Sequence, residues 1–132
     1  MTKNEKFTFA GRNKSLCIQL NEQGEYYDWV VTTAFYSCIH FLEGGLLPCK
    51  INGCQCKNIS EVKEVFEMEG RHAARSKLAH QYTTPQIASA YDWLDDQSRN
   101  SRYKTYKVNK PIAAKALYYL NSIAEYCETR NS

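Results

Sequence analysis

One segment of the chain, Glu25–Leu47, constrains the fold more than any other. Apolar residues recur in it at steps of three and four, the spacing that places side chains on one face of an α-helix. Gly44-Gly45 and Pro48 are expected to weaken this helix and then to end it. The expected core residues are Tyr27, Val30, Val31, Ala34, Phe35, Cys38, Phe41 and Leu42, and the expected polar side carries Thr33, Tyr36, Ser37 and His40.

Helical signals continue on both sides of this segment. A shorter helix is expected over Gly11–Leu20, and Ser60 is expected to cap another short one. Residues Gly70–His80 are rich in helix-favouring types. Thr84-Pro85 is a strong start signal, because threonine caps helices and proline suits the first helical position.

The helix that begins at Thr84-Pro85 is expected to run to about Ser98, and Asn100–Asn109 is expected to connect it to a last helix that begins at Pro111. No segment alternates convincingly like a strand. The sequence therefore predicts an all-α fold, a four- to five-helix up-and-down bundle formed by one domain of residues 1–132. Residues 48–69 are expected to be a loop or insertion that carries a cysteine cluster.

The chain of 132 residues is long enough for one hydrophobic core. No apolar run approaches the roughly 20 residues that a membrane-spanning helix needs. Met1–Gly11 lacks the apolar stretch of a secretory signal, so a cytoplasmic location without a membrane partner is expected. In that compartment cysteines stay reduced. Cys17, Cys38 and Cys127 stand in apolar surroundings and are expected to be buried.

The remaining cysteines, Cys49, Cys54 and Cys56, are clustered. With His40 or His72 they offer four ligands of the kind that zinc prefers. Their spacing differs from the paired C-x2-C arrangement of zinc sites. Reduced loop cysteines are the favoured interpretation, zinc is the alternative, and no cofactor is expected.

Positive charge is concentrated in one third of the chain. Residues 71–115 hold nine Lys/Arg and three Asp, a net charge of +6, whereas residues 1–70 carry a net charge of −2. A basic surface favours an anionic partner. Within this stretch, cations alternate with aromatic residues in a pattern that suits phosphates and stacked bases, or a solvated loop. The residues of the stretch that are expected to bind nucleic acid are Arg71, Arg99, Arg102, Tyr103, Lys104 and Lys107.

The same basic stretch contains Arg75-x4-His80-x-Tyr82. Arginine holds phosphate through two parallel hydrogen bonds, and histidine exchanges protons near neutral pH. Side chains five residues apart on one α-helix diverge by about 140°. Arg75 and His80 would therefore meet only across a helix end or in a site that a second subunit completes.

This pattern resembles the signature of HEPN domains, small helical bundles of prokaryotic toxins and defence systems. The chain resembles one HEPN-like group more closely, over roughly residues 25–128. The shared features are Asp28-Trp29, Ala34-Phe35-Tyr36-Ser37 with His40, His72-x2-Arg75, Tyr91-x2-Leu94 and Ser98-Arg99-x2-Arg102-Tyr103. The resemblance implies a homodimeric, metal-independent endoribonuclease of toxin–antitoxin or defence type, with a cognate antitoxin or another protein as a further partner. In such a protein Arg75 and His80 are catalytic, and His72, Ser76 and Tyr82 support them.

Two departures from this reading follow from neighbouring residues. Ser76 stands where the family usually has Asn or Asp. His72 and Arg75 share a helix face, so they form either a second polar site or a buried network that fixes helix packing. The expected function is thus endoribonuclease activity on RNA. The alternative is a catalytically inactive helical module of the same fold that binds nucleic acid, a nucleotide or a protein.

Overall fold

Residues 1–103 and 107–131 are described by the computed structural model, and they form six α-helices and one short hairpin. The predicted all-α helical bundle is confirmed. The six helices exceed the expected four to five, and the short helix expected near Ser60 is one of them. The elements are α1 (Lys3–Gln23), α2 (Tyr27–Leu46), β1 (Cys49–Ile51), β2 (Cys54–Cys56), α3 (Ile59–Val65), α4 (Arg71–Tyr82), α5 (Pro85–Tyr103) and α6 (Lys110–Arg130).

Helix α2 is the centre of the bundle and contacts α1, α4, α5 and α6. Its apolar residues form the core as predicted, and Cys17, Cys38 and Cys127 are fully buried around it. The prediction of a polar side was wrong for Thr33 and Ser37, which are also buried. Packing on several sides buries their hydroxyls, and these donate to backbone carbonyls instead of water, as Ser37 does to Ala10 at 2.7 Å.

The two adjacent glycines of α2 do not end the helix, which continues to Leu46. They let neighbouring helices approach its backbone closely. A Cβ atom on Gly45 would lie 2.7 Å from the Cβ of Cys127 on α6, and one on Gly44 would lie 3.3 Å from the Cβ of Lys6 on α1. The glycines therefore serve packing against both partners.

Helix α1 begins eight residues before the expected Gly11. Thr2 caps it, since its hydroxyl accepts a hydrogen bond from the Glu5 amide at 3.1 Å. The helix continues past the expected end at Leu20 to Gln23, and its C-cap is Gly24, whose φ of 74° is left-handed. The full length of α1 was not predicted, because the helix has few apolar residues and therefore a weak periodic pattern.

The hairpin β1–β2 and helix α3 occupy most of residues 48–69 and correct the expectation of a loop there. The turn of the hairpin is Asn52-Gly53, and both residues have positive φ, 50° and 81°. Asn-Gly is the preferred sequence for such two-residue turns. The strands have three residues each, too few to show alternation.

Three helix ends also differ from expectation. Asn58 rather than Ser60 caps α3, accepting from the Glu61 amide at 2.9 Å. Helix α5 begins at Pro85 with Thr84 as its cap, as predicted, but it runs to Tyr103 and absorbs the start of the expected connection. Asn109 caps α6.

Over residues 1–103 and 107–131, no helix combines the length and apolar character needed to cross a membrane.

We predict that Gly45→Ala lowers the free energy of unfolding by about 1–3 kcal/mol, because its methyl group would overlap Cys127. Gly11→Ala is the matched control, since a Cβ there meets no atom within 4 Å. That change should raise stability by about 0.5–1 kcal/mol, the gain in helix propensity. Urea unfolding of both variants measures the difference. Equal gains in stability would contradict the close α2–α6 contact.

Candidate functional site

Arg75 points into the bundle. Its Nε lies 2.6 Å from Oε2 of Glu43 on α2, and each of the two side chains is 11% exposed. The other carboxylate oxygen of Glu43 lies 3.5 Å from the Lys6 ammonium on α1. One buried carboxylate therefore joins α1, α2 and α4, and this network occupies the arginine of the Arg75-x4-His80 pattern.

His80 lies on a different side of α4. Its Nε2 is 2.7 Å from Oδ2 of Asp92 on α5, and its side chain is 50% exposed. Ser76 donates from its hydroxyl to the other oxygen of Asp92, also at 2.7 Å. Asp92 thus fixes the ring orientation of His80, whose side chain stays half exposed.

Helix α4 is continuous from Arg71 to Tyr82, so no helix end separates Arg75 from His80. Of the two ways in which the pair could meet, the helix end is absent, since Thr83 caps α4 only after Tyr82, and a site completed by a second subunit stays a prediction. Within one chain the two side chains turn to different partners, Glu43 and Asp92, as the 140° separation predicts. Tyr82 packs at the edge of the core.

His72 lies at the meeting point of α2, α4 and α5. Its ring stacks on Phe35 with centroids 5.6 Å apart. Its Nδ1 lies 3.5 Å from Oδ1 of Asp95, and its side chain is 42% exposed. This position gives an imidazole that is held in place on one side and open on the other.

Two arginines of α5 lie beside this imidazole. Arg99 holds Asp95 through Nε and Nη2, each at 3.1 Å. Arg102 donates to the Tyr36 hydroxyl, and its guanidinium carbon lies 5.3 Å from the Tyr36 ring centroid. The structure therefore brings together His72, Arg99 and Arg102, which the sequence analysis named separately. We call them, with Arg75, the His72 cluster.

The electrostatic surroundings lower the pKa of His72 below its usual value. Burial is the largest cause, because it disfavours the charged ring. The carboxylate of Asp95 opposes the shift, while the positive charges of Arg75, Arg99 and Arg102 add to it. His72 is therefore neutral at pH 7 and able to accept a proton.

Buried polar groups surround the cluster. Burial raises the pKa of Tyr91, whose ring stacks on Phe35, and the nearby Arg75 charge opposes that rise. The Ser98 hydroxyl is fully buried and has no hydrogen-bond partner within the described part of the chain. Ser98 follows Asp95 by three residues and precedes Arg102 by four, so the three share one face of α5.

The other residues that were predicted to bind nucleic acid are not part of the His72 cluster. Arg71 begins α4 and is exposed, and Lys107 is exposed in the segment before α6. Tyr103 is the last residue of α5, but its side chain lies outside the described residues, as does all of Lys104.

The cysteine cluster does not assemble a metal site. Cys49 and Cys56 face each other across the hairpin, while Cys54 is exposed at the turn side. Over residues 1–103 and 107–131, no group of three or more His, Cys, Asp or Glu side chains is placed to hold a metal ion. Burial raises the pKa of the thiols of Cys49 and Cys56.

Sequence reasoning missed the carboxylates that organise the site, namely Glu43, Asp92 and Asp95. A signal for Glu43 was present, because an ionisable residue inside a long apolar helix requires a buried partner. Asp92 and Asp95 are three residues apart on α5, a spacing that places both on the side facing α4.

Searches for similar proteins return no matching family model and no match among curated proteins. The HEPN assignment therefore stays a prediction that rests on the residues named above.

We predict that Glu43→Ala lowers the free energy of unfolding by about 3–5 kcal/mol, because it leaves Arg75 buried without a counter-charge. His80→Gln is the control, since it disrupts a half-exposed pair whose loss should cost about 1 kcal/mol or less. Chemical denaturation of both variants tests this. Equal losses would show that Glu43 does not hold the three helices together.

Proposed function

We propose that this chain is a HEPN-like endoribonuclease that cleaves RNA without a metal ion, and that the His72 cluster is its reaction centre. The observation that carries the proposal is the half-open imidazole of His72 beside the guanidinium groups of Arg75, Arg99 and Arg102. A proton acceptor and fixed positive charge in one place are what cleavage of a phosphodiester requires.

In the proposed reaction, His72 accepts the proton of the ribose 2′-hydroxyl. The 2′-oxygen then attacks phosphorus, and the bond from phosphorus to the 5′-oxygen breaks. The leaving oxygen takes up a proton from solvent, so the products are a 2′,3′-cyclic phosphate and a 5′-hydroxyl. A positioned base contributes about 10²–10⁴-fold to such a step.

The arginines keep donors for the phosphate although carboxylates hold them. A guanidinium has five N–H donors. Arg75 uses its Nε toward Glu43, and Arg99 uses Nε and Nη2 toward Asp95. The remaining donors of Arg99 support charge-assisted hydrogen bonds to the phosphate oxygens in the transition state, whereas the buried Arg75 contributes its positive charge.

The proposal also includes the homodimer, the cognate antitoxin or protein partner, and the cytoplasmic location that the sequence analysis predicts. In a homodimer, His80 of one protomer and the cluster of its partner would both face the substrate if the two α4 helices were adjacent. His80 then keeps a supporting role in proton transfer, because Asp92 orients its ring.

A second candidate function is a module that binds RNA, a nucleotide or a protein without cleaving it. One observation favours it: Arg75 is almost completely buried, and its Nε is paired with Glu43. In that case the network fixes helix packing, and the exposed Arg99 and the half-buried Arg102 of α5 contribute to the binding surface.

We predict that His72→Gln lowers RNA cleavage by about 10²-fold or more with a chelator present, since it removes the proton acceptor but keeps side-chain size. His80→Gln should lower cleavage by less than about tenfold. The assay follows a labelled RNA and identifies a cyclic phosphate at the new 3′ end. Cleavage that depends on His80 and not on His72 would reject this reaction centre. Binding without any cleavage would establish the second candidate.

We also predict the pH dependence of kcat/KM. The usual pKa of histidine is about 6.5. Because burial and the arginines lower the pKa of His72, this base gains its proton at a lower pH than an ordinary histidine does. The acidic limb of the rate profile should therefore be centred below pH 6.5, where the ring gains its proton. Arg102→Gln removes one positive charge and should move the acidic limb toward higher pH. An acidic limb centred above pH 6.5 in the wild type would contradict His72 as the base.

A further inference from the structure

An exposed aromatic face lies on α1 and α2 and borders the His72 cluster at Tyr36. Trp29 is 54% exposed and Tyr36 is 41% exposed. They are seven residues apart on α2, so they point in the same direction, about 10 Å apart along the helix axis. Phe9 and Leu16 are exposed on α1. We call these four residues the aromatic face.

The two helices carry the face side by side. They are antiparallel, since Lys6 contacts Glu43 and Ala10 accepts a hydrogen bond from Ser37. Phe9 lies beside His40 with ring centroids 5.8 Å apart. Phe9 and Leu16 also border a shallow groove of about 390 Å³, together with Arg12 and Asn13.

The charges on this face have one sign. The Arg12 guanidinium lies 5.9 Å from the Phe9 ring, and that of Arg102 lies 5.3 Å from the Tyr36 ring. Residues 9–16 and 29–40 contain no Asp or Glu. Asp28 borders the face at the first turn of α2. Exposed rings are thus interleaved with cations over a length of about 16 Å, from Trp29 to His40.

We propose that the aromatic face binds a single-stranded segment of RNA, with bases stacked on Trp29 and Tyr36 and with phosphates held by Arg12 and Arg102. Aromatic side chains interleaved with arginines form the usual surface for single strands, because every base has a face that can stack. This inference rests on the proposed action on RNA and specifies the form of the substrate.

The face leads directly to the His72 cluster. Tyr36 accepts a hydrogen bond from Arg102, and the preceding residue, Phe35, stacks on His72. A strand whose base stacks on Tyr36 therefore has its neighbouring phosphate beside Arg102 and His72. The face would hold the RNA, and the cluster would act on the next phosphodiester.

The same charges argue against a second copy of this chain as the occupant. A two-fold contact between identical faces would bring Arg12 and Arg102 of both copies into one desolvated interface. The segments that carry the face contain no carboxylate to pair with them. A duplex is also a poor fit, because its bases are already stacked and do not present their faces to aromatic side chains.

The test measures binding of a fluorescent twelve-residue oligouridylate to the full-length protein at low salt, in parallel with a duplex RNA of equal length. To prevent cleavage, the 2′-hydroxyls are methylated. Trp29→Leu and Tyr36→Leu should each weaken binding of the single strand about tenfold. Tyr118→Leu is the matched control, since Tyr118 is an exposed tyrosine on α6, and it should leave binding unchanged.

Tryptophan fluorescence gives a second readout that a structural role would not alter. A base stacked on Trp29 should quench part of the emission, and the quenching should disappear in Trp29→Leu but remain in Tyr118→Leu. Affinity that is equal in all variants, a preference for the duplex, or no binding by the wild type would overturn the proposal. A different oligomeric state of Trp29→Leu in solution, with unchanged RNA affinity, would also overturn the proposal, because it would identify the face as a contact between copies.

The outcome separates this inference from the proposed function. Binding that depends on Trp29 and Tyr36, without any cleavage, would retain the single-strand site and reject the nuclease. Cleavage that depends on His72, with unchanged affinity in both variants, would retain the nuclease and reject the aromatic face.

Discussion

The pairing of the Glu43 carboxylate with Arg75 and Lys6 is the interaction on which the arrangement of the helices depends. The carboxylate is a buried charge on the most buried helix, so it needs the cations of Arg75 and Lys6 around it. Those contacts set the rotation of α4 about its axis. With Arg75 turned inward, His72 faces Phe35 and α5, whereas His80 is directed to the outer edge beside Asp92. One ion pair therefore decides which histidine belongs to a polar cluster and which stands at an open surface.

This arrangement changes the meaning of the Arg75-x4-His80 pattern. In sequence it suggests a catalytic pair, but in one chain the arginine is shared with a structural network and the histidine lies apart from it. The same α4 helix supplies His72 to a second group of residues, contributed by α2 and α5. The rings of α1 and α2, with Arg12 of α1 and Arg102 of α5, continue that group toward the surface. Binding, charge stabilisation and proton transfer are thus proposed along one continuous path, with His80 of the same chain outside it.

Much of the fold followed from local signals. The spacing of apolar residues predicted α2, and Thr84-Pro85 predicted the start of α5, because both depend on residues close in sequence. The hairpin was missed although Asn52-Gly53 marks its turn, since three-residue strands are too short to show a pattern. For the site, helix geometry alone predicted that Arg75 and His80 diverge. The pairing of Arg75 with Glu43 and the gathering of Arg102 with His72 depend on how distant helices pack, which spacing does not encode.

The most direct test follows the imidazole signals of His40, His72 and His80 by NMR while a non-cleavable, 2′-O-methylated single-stranded RNA is added. These are the three histidines of the chain, so each can be assigned by one substitution. The account predicts that the RNA shifts the His72 signals most and raises the pKa of His72, because a phosphate anion then lies beside the ring. RNA that shifts His80 and leaves His72 unchanged would contradict the account.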